Sequence, residues 1–377
     1  MTRQTAPTPA LTVPFIDLAV HDPALKAKLL EAADRVLSHG QFILGPEVKK
    51  FEEDFAAYTG TTYAVGIGNG TDSLTLTMKG LGIGPGDEVI TAANSFLASA
   101  SSVIFAGARP VLVDMLDDCT IDPVRVEAAV TPHTKAIIPV HLMGQPADMD
   151  AILAIAEKHG LYVIEDAAQA AGAKIGDRRV GSLGTAGSFS FHPLKTLNAC
   201  GDAGMVTTND RKLYEYLLLA RTHGLKDRDD CVFWSPNSRL DALQAAFLGV
   251  KLPYLDQWNA ARRAHAAFYQ TCLADVVEVA RETPGTFNVF YMFVIQTDRR
   301  DDLQRFLRER GIESAVHYPT PIHLKRAAKD LGYKRGDFPV TERWSDRILS
   351  IPATQWHSKD QCAYVADTVR EFFSKES

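Results

Sequence analysis

Between residues 88 and 165 the sequence alternates short apolar runs with amphipathic ones, and that rhythm leaves few folds open. Residues 88–92, 110–114, 135–141 and 161–165 read as strands, and 99–106, 124–130 and 147–159 as helices. Strands joined by helical crossovers make a mostly parallel sheet covered on both faces. Ligands of such sheets sit beyond the carboxyl ends of the strands. Asn94, Ser95, Asp114, His141, Asp166 and Gln169 fall at those ends.

The flanks extend the pattern. Residues 23–37 and 46–58 show helical periodicity and lead into the main domain. A short apolar run, 63–68, precedes a glycine turn that opens a helix ending near Gly80. Residues 188–191 and 205–208 read as strands, and 210–220 as a helix. Residues 240–273 are helical with a break at Pro253. Beyond this hinge, 287–296 and 312–318 read as strands, and 301–309, 344–349 and 361–373 as helices. The expected division is a large α/β domain over 1–250, which would bind the cofactor, and a smaller α+β domain over 251–377.

Composition narrows the function classes. The chain has 377 residues, 46% hydrophobic and 23% charged, with a net charge of −6. That suits a globular protein with a substantial core, and it offers no basic stripe for nucleic acid and no membrane patch. The five cysteines are scattered, without a C-x-x-C pair, which argues against a zinc knuckle or disulfide framework and for a reducing cytoplasm. Residues 1–14 are rich in Thr and Pro and lack the apolar segment of a signal peptide. No apolar run approaches transmembrane length.

Three features carry chemistry. Lys195 follows a strand and precedes the flexible run Gly201-Asp-Ala-Gly204. A lysine between buried strands is either a surface residue on a loop tip or an amine in a Schiff base with an aldehyde. A P-loop is excluded, because Leu194 and Phe189 stand where that motif needs glycine. Asp166 ends a buried strand among small residues; it either caps a helix or holds a cation, and no neighbouring acid or histidine supports a metal. Asn69-Gly-Thr-Asp72 opens a helix, either as plain N-capping or as a phosphate seat. Pyridoxal phosphate needs all three: an amine for its aldehyde, an acid for its pyridine nitrogen and a helix start for its phosphate.

On these residues the chain resembles the DegT/DnrJ/EryC1/StrS sugar aminotransferases, fold-type I enzymes dependent on pyridoxal 5'-phosphate. The most specific stretches are Gly68-Asn-Gly-Thr-Asp-Ser-Leu74, Glu165-Asp-Ala-Ala-Gln-Ala170, the stretch around Lys195, and Asn237-Ser-Arg-Leu-Asp-Ala-Leu-Gln-Ala-Ala246. The resemblance implies a mostly parallel seven-stranded sheet flanked by helices, with a smaller C-terminal α+β domain. It implies that Lys195 bonds the cofactor aldehyde, Asp166 pairs with the pyridine nitrogen, Gln169 lies beside the ring oxygen and Phe96 covers a ring face. Gly70, Thr71 and Asp72, with the Ser190 hydroxyl, would hold the phosphate, and Asn237 would reach it from the neighbouring subunit of a homodimer. His192, His223, Arg239, Tyr318 and His323 are the implied sugar-side residues. The implied reaction passes an amino group from glutamate to a nucleotide-linked keto sugar, at its third or fourth carbon. A keto cyclitol substrate, a dehydratase or lyase, and a cofactor-binding protein without turnover are the alternatives. The chain departs from the family pattern at Asn198, Cys200 and Ala203, all beside Lys195.

Overall fold

A computed structural model describes residues 11–374; the remainder, including most of the Thr/Pro-rich start, lies outside the described residues. Helices α1 (Pro23–His39) and α2 (Pro46–Thr59) come first. Asp22 caps α1 through its side chain, Pro23 opens it, and Gly40 ends it at φ 71°, a conformation glycine adopts without strain. The main sheet then forms from β1 (Tyr63–Ile67), β2 (Glu88–Ala92), β3 (Arg109–Val113), β4 (Thr134–Ile138), β5 (Tyr162–Asp166), β6 (Ala186–Ser190) and β7 (Gly204–Thr208). Interleaved are α3 (Gly70–Gly80), α4 (Ala98–Ala106), α5 (Pro123–Ala128) and α6 (Met149–His159), with α7 (Arg211–Ala220) after β7.

The seven strands are ordered β1-β7-β6-β5-β4-β2-β3. Only β7 runs against its neighbours, pairing antiparallel with β1 and β6. The carboxyl ends of β1, β2, β4, β5 and β6 therefore share one edge. Strand β6 alternates small and aromatic residues and starts two positions before the span 188–191 that the pattern predicts. Phe189 and the following Phe191 pack on α2, with Phe189 edge-on to Phe55 at 4.9 Å. Burying each ring contributes about 2–3 kcal/mol. Ser188 and Ser190 consequently face the other way, where Ser188 Oγ lies 2.5 Å from Ser73 Oγ of α3.

Helices α8 (Ala242–Lys251) and α9 (Leu255–Leu273) follow, split by a turn at Leu252–Tyr254 where Pro253 sits. A second sheet of three antiparallel strands, β8 (Glu278–Val279), β9 (Phe293–Gln296) and β10 (Ile348–Ile351), packs with α9, α10 (Arg300–Glu309) and α12 (Lys359–Ser374) around Tyr269, Phe293, Leu307 and Val369. Between them lies α11 (Pro339–Arg347).

Three expectations need correction here. Residues 312–318 are not a strand; their backbone meets Val13 and Ser350 at isolated bridges from Ile312 and Ala315. The helix expected over 344–349 ends at Arg347, because Ile348 onward pairs with β9. The strand expected over 287–296 survives only at its ends, since Phe290 at φ 45° breaks it. No helix among the described residues is long and apolar enough to cross a membrane.

Candidate active site

A cavity of ≈ 440 Å³ opens at the shared carboxyl edge. Its floor is Asp166, the last residue of β5, only 5% exposed. Asp166 Oδ2 accepts the Ser99 hydroxyl at 2.7 Å, and Oδ1 accepts the Ala168 N–H at 3.2 Å. Ser99 is in turn 2.8 Å from Ser95 Oγ. Among the described residues no lysine, arginine or histidine forms an ion pair with Asp166. A carboxylate buried without a cation is costly, so this floor suits a positively charged ligand atom.

Lys195 reaches the same cavity from the loop between β6 and β7, with Nζ 4.9 Å from the Tyr291 ring centre. Gln169 is held at both ends: Oε1 accepts the Met143 N–H at 2.8 Å, and Nε2 donates to the Tyr318 hydroxyl at 3.1 Å. The Phe96 and Tyr318 rings lie 5.8 Å apart on one wall. Burial, chiefly, raises the Tyr318 hydroxyl above its ordinary value.

The α3 start forms the far end. Asn69 Oδ1 caps the Asp72 N–H at 2.9 Å, and the Asn69 carbonyl accepts the Ser73 N–H. Of the first four helical N–H groups, those of Gly70 and Thr71 remain, and both residues line the cavity. A Cβ at Gly70 would sit 2.8 Å from Ser190 Cβ, so glycine is what lets the helix start approach β6. An amine, an unpaired buried carboxylate and a glycine-lined helix start therefore fit an aldehyde-bearing, phosphorylated pyridine at its three contact points.

The structure sorts the sequence candidates. It brings Gly70, Thr71, Phe96, Asp166, Gln169, Ser190, His192, Lys195 and Tyr318 to the cavity wall. It leaves out Asp72, whose amide is already capped and whose carboxylate accepts the Ser238 hydroxyl at 2.6 Å. It also leaves out His323, which is buried elsewhere against Glu342 at 2.9 Å, with its ring on Phe338. Within one chain His223, Arg239 and Asn237 do not line the cavity either; His223 and Asn237 are exposed. Sequence reasoning missed His317, Tyr291 and Ser99. His317 directly precedes Tyr318, one of the implied sugar-side residues.

His317 is stacked on Phe15 and its Nδ1 lies 3.0 Å from Ser350 Oγ. Burial, helped by the Lys195 charge, pulls its pKa from 6.5 down to about 4. Above pH 6.5 neither folded nor unfolded chain protonates it. As the pH falls from 6.5 toward 4 the unfolded chain gains the proton first, so stability is lost over that window. The loss is on the order of 3 kcal/mol. Burial lowers His265 and His357 in the same direction. His317→Asn should therefore lessen, not remove, the acid sensitivity; urea melts at about pH 7 and about pH 4 measure the difference. Equal losses in both proteins would refute it.

Comparison with known proteins places this geometry. The model of the DegT/DnrJ/EryC1/StrS aminotransferase family matches residues 23–370. A Geobacillus stearothermophilus protein described as a pleiotropic regulatory protein is 47% identical over 369 residues, 96% of this chain and 99% of that one. The Streptomyces venezuelae dTDP-3-amino-3,4,6-trideoxy-alpha-D-glucose transaminase is 43% identical, covering 96% of each chain. The solved structure of S. venezuelae DesV in complex with a ketimine intermediate superposes with a TM-score of 0.94 at 43% identity, over 97% of this chain and 99% of that one.

Proposed function

Because the chain belongs to the DegT/DnrJ/EryC1/StrS aminotransferase family, we propose that it is a pyridoxal-phosphate-dependent enzyme passing an amino group from glutamate to a nucleotide-linked keto sugar. The observation that carries the reading is the buried Asp166 carboxylate, without a cation of its own, in one cavity with the Lys195 amine. The cofactor, when bound, supplies an electron sink for the bond that breaks at the amino-bearing carbon.

The chain's own residues do the rest. Asp166, fixed by Ser99 and Ala168, would hold positive charge at the pyridine nitrogen. Lys195, with its amine neutral, would take the proton from the amino-bearing carbon of the donor and hold it at Nζ. Gln169, Phe96 and Tyr318, which line the cavity, would orient and cover the ring, and the Gly70 and Thr71 amides with Ser190 would take the phosphate. His317, neutral at pH 7 by burial, offers the keto sugar a hydrogen-bonding ring that does not compete for charge with Lys195.

A homodimer belongs to the same reading, in the cytoplasm. Phe42, Ile43, Phe96, Leu97 and Phe105 are exposed, and Trp234 is 93% exposed on the loop that leads to Asn237. These exposed apolar side chains, Phe96 on the cavity wall among them, support a second copy covering them, with Asn237 reaching the phosphate across the interface.

The description of the Geobacillus relative favours a second reading, a regulatory protein without turnover. One measurement separates them. Cofactor-loaded protein given glutamate without sugar should release about one equivalent of 2-oxoglutarate per subunit and then stop until a keto sugar is added. No release with glutamate, and none with other amino donors, refutes the enzyme.

A further inference from the structure

The loop bearing Lys195 leaves the sheet after Ser190 and returns at Gly204. Main-chain bonds close its neck: Phe191 N–H to the Ala203 carbonyl and Ala199 N–H to the Phe191 carbonyl, each 2.8 Å. Beyond the neck a side chain ties the span together, Asn198 Nδ2 donating to the Pro193 carbonyl at 2.7 Å.

Asn198 is itself gripped from outside the loop. Lys251 Nζ donates to its carbonyl at 2.8 Å and to its Oδ1 at 2.7 Å. Lys251 ends α8 and is 5% exposed, and burial lowers its pKa. An ammonium only donates. It therefore fixes which end of the Asn198 amide faces it, and the NH₂ end is left to close on Pro193. Seven residues earlier on α8, Gln244 Oε1 accepts the Cys200 N–H at 2.7 Å. Positions seven apart share one helix face, so a single stripe of α8 holds the loop at two points. Helix α8 also packs on α1 and α2, which makes it a fixed frame. Neither Asn198 nor Lys251 lines the cavity.

We propose that Asn198 and Lys251 are positioning residues: the buried ammonium orients the amide, the amide closes the loop, and the closed loop sets where the Lys195 amine stands. The inference rests on Lys195 being the amine that takes the cofactor.

The test uses full-length wild type, Asn198→Asp and Lys251→Met. Asn198→Asp keeps two oxygens for Lys251 but has no donor for Pro193; Lys251→Met removes the grip. In cofactor-free protein, amide hydrogen exchange across residues 192–200 should quicken about tenfold in both variants while exchange in the main sheet stays unchanged. In loaded protein, the midpoint of the pH titration of the lysine-linked cofactor's visible absorbance should move by about one unit, as expected when an amine's surroundings change. Wild-type exchange and wild-type titration in both variants overturn the proposal. Should Lys251→Met not fold, Asn198→Asp decides alone, since it leaves the ammonium paired. A wild type that never gains the absorbance defeats the cofactor assignment instead, and the exchange measurement still judges the clamp.

Discussion

Lys195→Ala should lower amino transfer by ~10⁴-fold or more while the protein folds as before. The two halves of this expectation have separate causes. Lys195 stands on a loop, with its amine over the Tyr291 ring, and it anchors no core element. Its loss should cost little stability. The loop's closure depends on Asn198 and the neck bonds, which the substitution leaves in place. The chemistry, by contrast, loses its amine base: His317, tied to Ser350 and held by burial at about 4, is a much weaker base, and the Tyr318 hydroxyl is pushed further from ionising. Lys195→Arg separates charge from reactivity. It preserves a cation at the site, yet a guanidinium does not deprotonate, so it should be as inactive as alanine. Glutamate-dependent 2-oxoglutarate release, the visible absorbance and a thermal melt are the three readings. Lys195→Ala also removes the positive neighbour of His317, so the histidine should regain part of its basicity, though burial keeps it below 6.5. Turnover by Lys195→Ala within tenfold of wild type would end the assignment.

What was legible in the sequence follows from how local each signal is. The main strands and their helices are written in short-range periodicity, and β5 and β6 appear at nearly the expected residues because their burial leaves one pattern possible. The second sheet was harder. Residues 312–318 have a strand-like composition, but their partners are Val13 and Ser350, far away in sequence, and they meet them at single bridges. Ile348–Ile351 continues a helical pattern and is nevertheless claimed by β9, a tertiary preference that overrides local propensity. At the site, residues alone left Lys195, Asp166 and the α3 start each with a bland explanation. Together they pointed to one cofactor, the family resemblance added the individual roles, and the cavity gives their convergence a geometry. Ser99 had no sequence signal, since nothing local says that this serine of α4 lies 2.7 Å from the end of β5. His323, near a proline-rich loop, is buried against Glu342 and Phe338 and does not line the cavity, a placement no local pattern announces.

Glu165→Ala is expected to destabilise the protein by roughly 4–6 kcal/mol, a large part of the margin of an ordinary domain. Glu165 and Asp166 look alike in the sequence, but successive strand residues point to opposite faces. Asp166 faces the cavity; Glu165 faces inward and is 0% exposed. Its Oε1 accepts the N–H groups of Leu183 and Gly184 at 2.7 and 2.8 Å. Its Oε2 accepts the Gly181 N–H at 2.7 Å and lies 3.0 Å from His141 Nε2. His141 Nδ1 already accepts the Ala147 N–H at 3.0 Å, so the ring proton is on Nε2 and Oε2 meets a second donor. Alanine would bury four donors without an acceptor. Glu165→Gln is the sharper probe, because either orientation of its amide turns an NH₂ toward two N–H groups. The histidine cannot relieve this by exchanging tautomers without losing its bond from Ala147. A loss of about 2–3 kcal/mol is expected for glutamine, read from urea midpoints at pH 7. The loop 181–184 should loosen first, detectable as faster amide exchange there while β1 and β7 stay protected. A glutamine variant that melts with wild type would mean that the carboxylate is interchangeable with an amide, which four converging donors do not allow.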